Sequence, residues 1–146
     1  MAEPQSYKNH GRSDPLFHYF VMPALVANIV VTAIYFVRHY GEYGFTGVWW
    51  IFVSIVLLAL AGMARGYALK VQDRVICTEE KLRLAALVSP GELVELDSLT
   101  MDQYIGLRFA SNAELPDLAR RAVREKLDRK QIKQAIVAWR ADDYRV

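Results

Sequence analysis

The second of two long apolar segments in this chain has no turn at the point where its apolar stretch ends. Residues 45–64 contain no Asp, Glu, Lys or Arg, and neither do residues 16–37. Each segment would be about 30 Å long as a helix, which matches the hydrocarbon thickness of a bilayer. After residue 64 the helical pattern continues to residue 88, and Pro90-Gly91 then breaks it. The sequence therefore predicts two transmembrane helices, the second of which continues beyond the lipid.

The whole chain is predicted to be all-α and to have four parts. Residues 1–15 form a polar N-terminal segment, with Ser13 as the expected helix N-cap. Residues 16–64 form the two-helix transmembrane hairpin, residues 65–89 a helical stalk and residues 90–146 a compact tail of short helices. The first span is not expected to be a signal peptide, because a mostly polar segment precedes it and its apolar run is too long.

The orientation of the hairpin follows from the positions of the positive charges. The loop expected between the spans, residues 38–47, holds Arg38 alone, which Glu42 offsets. Positive residues precede the first span and follow the second: Lys8, Arg12, Arg65, Lys70 and Arg74. Both termini are therefore expected to be cytoplasmic.

The second span and the stalk share a heptad pattern of apolar and small residues. Its members are Leu57, Ala61, Ala64, Ala68, Val71, Val75 and Leu82, with Thr78 and Ala85 completing the pattern. Such a repeat is typical of a coiled-coil seam or of tight antiparallel helix packing. A second apolar stripe occupies another face: Leu69, Ile76, Leu84 and Leu87. One helix with two apolar faces needs two neighbours. We expect the tail, of the same subunit or of a neighbouring one, to cover the second stripe, and another subunit to cover the seam. Glu79 and Arg83 are expected to form an ion pair within the stalk.

Three capping-box patterns predict short helices in the tail. Thr100-x-x-Gln103 opens a helix at 101–110, and Ser111-x-x-Glu114 precedes a helix at 113–127. Asp128-x-x-Gln131 opens the last helix. No segment has the alternating pattern of a strand.

The end of the chain is basic: residues 116–146 carry nine Lys/Arg and five Asp/Glu. The predicted basic surface consists of Arg120, Arg121, Arg124, Arg129, Lys130 and Lys133. Packing of the apolar residues of these helices should turn most of these charges outward. Three interpretations compete: a solvated helical face, contact with an anionic leaflet or an acidic protein partner, and nucleic acid. Nucleic acid ranks last, because the turn between the last two helices is very short and no base-reading set is evident.

Residues that could carry chemistry are few. Asn28 lies near the centre of the first span, where a carboxamide is costly in lipid and should face another helix. We interpret it as a packing contact. Cys77 is the only cysteine, which excludes an internal disulfide. No nucleotide-binding, metal-binding or catalytic motif is present. We therefore predict no enzymatic activity, no metal and no cofactor.

Several stretches resemble an uncharacterised bacterial family of small two-span integral membrane proteins, which is catalogued as a domain of unknown function. The similar stretches are Lys8-Asn9-His10, Pro15-x-Phe17-His18, Tyr67-Ala68-Leu69-Lys70-x-Gln72-Asp73-Arg74, Leu107-Arg108-Phe109-Ala110-Ser111, Glu114-Leu115-Pro116 and Arg129-Lys130-Gln131-Ile132-Lys133. The resemblance implies a protein of the bacterial inner (cytoplasmic) membrane. It implies no activity, cofactor or catalytic residue.

Two functions fit these patterns. The first is a non-enzymatic, oligomeric membrane scaffold or adaptor that assembles through the seam and contacts lipid or an acidic partner through its basic tail. The alternative is a small homo-oligomeric channel. A channel needs a polar or small-residue lining, and Asn28, Thr32 and Ser54 are the mid-membrane candidates for it.

Overall fold

The computed structural model describes residues 6–7 and 14–142, with Tyr43 described by its backbone alone. All regular secondary structure in these residues is helical, which confirms the all-α prediction. The expected N-cap Ser13 and the basic residues Lys8 and Arg12 lie outside the described residues. The chain divides into two compact units, a hairpin unit within Ser13–Leu69 and a tail unit within Lys70–Val146 that also includes Tyr7.

The hairpin unit is built from two helices joined by a single residue. A π-helical turn, Phe17–Val21, leads into helix α1, Met22–Arg38, and helix α2 runs from Tyr40 to Ala85. Only His39 separates α1 from α2, and its N–H donates to the carbonyls of Tyr35 and Phe36. The prediction of a loop at residues 38–47 is therefore wrong, because all of these residues except His39 are helical. The segment contains three glycines, Gly41, Gly44 and Gly47, but a glycine in a helix costs only about 1 kcal/mol.

Gly47 allows the two helices to approach closely. An added Cβ at this position would overlap the ring of Phe36. This contact lies nearer the His39 turn than a hydrogen bond between Asn28 and Ser54, so α1 and α2 run antiparallel. Two helices, Phe17–Arg38 and Gly44–Ala85, are long and apolar enough to cross a membrane.

The tail unit packs four short helices on the last turns of α2. These helices are α3 (Pro90–Glu95), α4 (Met101–Leu107), α5 (Leu115–Arg124) and α6 (Arg129–Ala135), and a 3-10 turn at Leu96–Ser98 follows α3. Their core contains Leu84 of α2 together with Leu96, Tyr104, Leu107, Phe109, Leu115, Ala119 and Ile132. Ile76 of α2 is also buried. Two of the four residues of the second stripe, Ile76 and Leu84, are therefore buried in this unit, as predicted, whereas Leu87 stays partly exposed and Leu69 belongs to the hairpin unit.

Capping boxes explain where three of these helices begin. Thr100 and Asp128 accept hydrogen bonds from the backbone N–H groups of Gln103 and Gln131, as their spacing predicts. A third box, not predicted from the sequence, joins Ser89 to Glu92 and starts α3 at Pro90. Pro90 thus begins a new helix after α2 has already ended at Ala85, three residues earlier than expected.

The capping box predicted at Ser111 and Glu114 is wrong. The backbone N–H of Ser111 donates to the carbonyl of Ala138, and the carboxylate of Glu114 accepts from the N–H groups of Val137 and Ala138 at 3.3 and 3.2 Å. Both residues are used to hold the segment after α6, where Ala110 and Trp139 form an isolated antiparallel bridge. Helix α5 therefore begins at Leu115 without a side-chain cap.

Candidate functional site

The seam face, defined by the seven heptad residues given above, is largely exposed. In the tail unit, Val71, Val75 and Leu82 are 61%, 49% and 69% exposed. In the hairpin unit, Leu57, Ala64 and Ala68 are exposed and Ala61 is half-buried. Three large exposed apolar residues in one row on a helix indicate a surface that lacks its partner.

The stripe that the tail covers lies on the other side of the same helix. Ile76, Glu80 and Leu84 are each less than a tenth exposed. At 3.6 residues per turn, this stripe is separated from Val71, Val75 and Leu82 of the seam face by about 160° around the helix axis. Residues 70–85 of α2 therefore have one face inside the tail core and an opposite apolar face that no described residue covers.

Asn28 meets a partner on the other helix of the hairpin, as its position predicts. Its Nδ2 donates to Ser54 Oγ at 2.8 Å, and Ser54 Oγ in turn donates to the carbonyl of Trp50 at 2.8 Å. Ser54 is only 2% exposed. Thr32 Oγ1 donates to the carbonyl of Asn28 at 2.7 Å. The mid-membrane polar groups thus bond to one another or to their own helix.

An apolar cleft lies beside this contact within the hairpin unit. It has a volume of about 390 Å³ and is lined by Val31, Thr32, Tyr35, Thr46, Gly47 and Trp50. None of these lining residues is charged.

A buried ionic cluster in the tail unit was not predicted. Arg83 Nη1 lies 2.9 Å from Glu80 Oε2, and Arg140 Nη1 lies 3.5 Å from Glu80 Oε1. Burial raises the pKa of Glu80, although Arg83 and Arg140 oppose this increase. The predicted pair of Arg83 with Glu79 is wrong, because Arg83 turns toward the buried carboxylate. An ion pair with the buried Glu80 is stronger than one with the exposed Glu79, because water screens the buried charges less.

Arg83 also ties α2 to the segment after α4. Its Nη2 donates to the carbonyl of Ala110 at 2.6 Å and its Nε to Oδ1 of Asn112 at 2.7 Å. A second buried ion pair nearby joins Arg108 Nε to Asp142 Oδ2 at 3.0 Å. The sequence did contain one signal for this cluster: Glu80 lies between Ile76 and Leu84 in the second stripe, where an apolar residue is expected.

Most residues of the basic surface are paired with carboxylates. Arg120 contacts Glu92 at 2.7 Å and also pairs with Asp117. Arg121 and Arg124 share Glu125, at 2.9 and 3.2 Å. Arg129 lies 3.9 Å from Asp102. Lys130 is exposed. The free positive charge of this surface is therefore smaller than its Lys and Arg content indicates.

Lys133 does not belong to the outward surface on which it was placed. It is 8% exposed, and its Nζ lies 5.1 Å from the centre of the Phe109 ring. The aliphatic stem of a lysine can pack in a core while its ammonium group lies over an aromatic face. The position of Lys133 on α6, next to the buried Ile132, explains why it points inward.

The described residues offer little for metal or acid–base chemistry. No group of three His, Cys, Asp or Glu among them could hold a metal ion. The ring nitrogens Nδ1 of His18 and His39 lie 2.8 and 3.0 Å from the backbone carbonyls of Asp14 and Tyr35, each four residues earlier in the chain. Cys77 is half-buried and packs against the tail core.

Comparison with known proteins identifies a family but no function. No curated protein and no solved structure matches the chain. One family model matches it from end to end, over residues 1–146, and is described as a family of unknown function. The resemblance inferred from the sequence motifs is thereby confirmed at the level of the family. The chain belongs to this family of unknown function, DUF6526.

Proposed function

We propose that this protein is a non-enzymatic, oligomeric scaffold or adaptor of the bacterial inner membrane, with both termini in the cytoplasm. The observation that carries this proposal is the exposed seam face of α2. A row of large apolar side chains is costly to leave in water, at about 25 cal/mol for each Å² of apolar surface. Its position opposite the tail core means that the chain cannot cover it with the described helices of the tail.

The polar contacts of the hairpin favour a scaffold over a channel. A pore of several subunits needs polar groups that can face a hydrated path. Asn28 and Ser54 instead use their hydrogen-bonding groups on each other, and Thr32 bonds to its own helix. These bonds support a role in holding α1 against α2.

The mass of the particle in detergent tests the proposal. Val71→Glu and Val75→Glu place a carboxylate in the seam, and burying an unpaired charge costs several kcal/mol, about 3–5. We expect both variants to lower the mass measured by light scattering to that of a single chain. Val94→Glu is the matched control, because Val94 is 76% exposed on α3, away from the seam.

Two outcomes would contradict the proposal. A wild-type protein with the mass of one chain would show that the seam has no partner copy. An oligomer that survives both seam substitutions and is lost in Val94→Glu would place the contact on the tail. Circular dichroism of each variant establishes that the helices remain formed.

We assign the basic surface to contact with the anionic inner leaflet or with an acidic protein partner. Arg124 and Lys130 are its most accessible members. The side chain of Arg124 is 73% exposed and shares a single carboxylate with Arg121, and Lys130 is exposed. Anionic lipid should slow hydrogen exchange of the α5 and α6 amides relative to neutral lipid. Salt at 1 M should remove the difference, because it shortens the screening length to about 3 Å. Equal exchange in both lipids at low salt would exclude the leaflet.

A further inference from the structure

We propose that the seam face pairs with a second copy of this chain in parallel and in register, and that Arg74 of each copy pairs with Glu79 of the other. This inference rests on the proposed function and specifies its partner and geometry. The paired segment is residues 71–82 of α2, which belong to the tail unit.

The exposed row has the composition of a coiled-coil core. Val75 and Leu82 occupy a positions of the heptad, and Val71 and Thr78 occupy d positions. Val75 is a β-branched residue at an a position, as in two-stranded parallel coiled coils, although the d positions hold Val71 and Thr78 rather than leucine. The hydroxyl of Thr78 donates to the carbonyl of Arg74 at 3.0 Å, so its polarity is satisfied within its own helix.

The charges that flank this row are complementary between two parallel copies. Arg74 is at a g position, and Glu79, five residues later, is at the following e position. In parallel coiled coils, ion pairs between these positions join the two helices and set their orientation. Both side chains are exposed, and within the part of the chain that the structure describes neither of them makes an ion pair. Glu79 is available for this contact because Arg83 pairs with Glu80.

An antiparallel arrangement would bring like charges together. It places g positions opposite g positions, so that Arg74 of one copy would face Lys81 of the other. Parallel pairing removes this repulsion and replaces it with two Arg74–Glu79 pairs. It also agrees with a shared membrane topology, because α2 includes the second apolar segment and every copy inserts that segment in the same direction.

Disulfide cross-linking of the full chain in lipid nanodiscs tests the orientation. Cys77 is first replaced by serine, and single cysteines are then placed at Val71 or Leu82. These positions are separated by about 16 Å along the helix. Parallel pairing in register predicts that Val71→Cys cross-links to itself and that Leu82→Cys also cross-links to itself. The control Val94→Cys, on an exposed position of α3, should not cross-link.

Charge exchange between copies tests the assigned ion pair. Arg74→Glu alone and Glu79→Arg alone place like charges opposite each other in a homodimer. A mixture of the two variants restores both pairs in the heterodimer. With two pairs changed from repulsive to attractive, we expect heterodimers to exceed the statistical ratio by about tenfold at low salt. The double variant Arg74→Glu, Glu79→Arg should regain the homodimer of the wild type.

The results distinguish failure of this inference from failure of the proposed function. In an antiparallel oligomer, cross-links form only between Val71→Cys and Leu82→Cys in a mixed sample. Such an oligomer, if it also depends on Val75, would overturn this inference and leave the proposed scaffold function intact. Heterodimers at the statistical ratio would overturn the Arg74–Glu79 pair. A protein with the mass of one chain and no cross-links would overturn both proposals.

Discussion

Lys126 has a positive φ of 51°, which is unusual for a residue with a side chain. It follows the end of α5 and forms a tight turn with two backbone bonds, from its own N–H to the carbonyl of Val123 and from Leu127 N–H to the carbonyl of Ala122. These bonds define the helix ending in which glycine is preferred. The turn lets Asp128 start α6 only two residues later, so the strain at Lys126 allows α5 and α6 to be connected closely.

Lys126→Gly should therefore stabilise the tail unit. Removing the Cβ relieves about 1 kcal/mol of steric cost, in part offset by the greater freedom of the unfolded chain. We expect hydrogen exchange at the core amides of Leu118 and Ala122 to slow by up to about fivefold. Arg124→Gly is the control, because a glycine inside α5 should accelerate the same exchange. Faster exchange in Lys126→Gly would show that the lysine side chain contributes more than its backbone strain costs.

Glu80 makes the stability of the tail unit depend on pH in an unusual direction for a carboxylate. Burial raises its pKa in the folded chain, so the folded state holds this proton more tightly than the unfolded state does. The resulting stability is complete below the unfolded pKa and is lost as the pH rises through the folded pKa. A glutamine at position 80 does not titrate, so the stability of Glu80→Gln does not fall over this pH range.

We subtract the melting temperature of the wild type from that of Glu80→Gln. This difference should become more positive from about pH 4 to pH 7, because only the wild type loses stability as the pH rises. The control is Glu125→Gln: a hydrogen bond from Arg121 lowers the pKa of Glu125, so this difference should become more negative over the same range. Differential scanning fluorimetry of the full chain in detergent provides both curves. A flat or falling curve for Glu80→Gln would mean that Arg83 and Arg140 outweigh burial.

At the scale of the helices, the Asn28–Ser54 bond is the specific contact between α1 and α2. Hydrogen bonds between membrane helices contribute about 0.6 kcal/mol on average. A double-mutant cycle of Asn28→Leu and Ser54→Ala should give a coupling energy of about that size, measured by unfolding in mixed micelles. Thr32→Val combined with Ser54→Ala should show none, since Thr32 bonds within α1. Equal coupling in both cycles would assign the effect to general packing.

The same helices show which parts of the fold are accessible from sequence. The apolar runs and the boxes at Thr100 and Asp128 are local signals that tertiary contacts do not override, so they predicted their helices. Ser111 and Glu114 have the same local pattern, but the segment at Val137 and Ala138 competes for their hydrogen bonds. Glu80, Arg83 and Arg140 meet only after the tail has packed, so no local pattern reports their contact. The seam is a local repeat that the sequence reports, and the partner proposed for it is a second copy of the chain.

At the scale of the whole molecule, α2 supplies residues to both compact units. In the hairpin unit it pairs with α1, and in the tail unit it contributes Leu84 to the core. A substitution that breaks α2 near the boundary at Leu69 and Lys70 would therefore affect both units at once.

Topology is the property of the whole chain that is most directly testable. Glu42→Cys and Ser98→Cys, each in a chain with Cys77→Ser, place one thiol on each side of the predicted membrane. With both termini in the cytoplasm, a membrane-impermeant maleimide added to intact cells should label position 42 and spare position 98. Both positions should react in lysed cells, which establishes their accessibility. Labelling of position 98 alone in intact cells would reverse the orientation.

The burial of Leu84 among α4, α5 and α6 has a consequence for the order of events during synthesis. Ile132 and Ile136 complete the core around it, and they are translated about 50 residues later, a delay of roughly 3–10 s at 5–20 residues per second. During this interval the ribosome has released a complete α2 whose inner face is still bare. The nascent chain should therefore bind holding chaperones at residues 76–84, and ribosomes stalled before Ile132 should retain them.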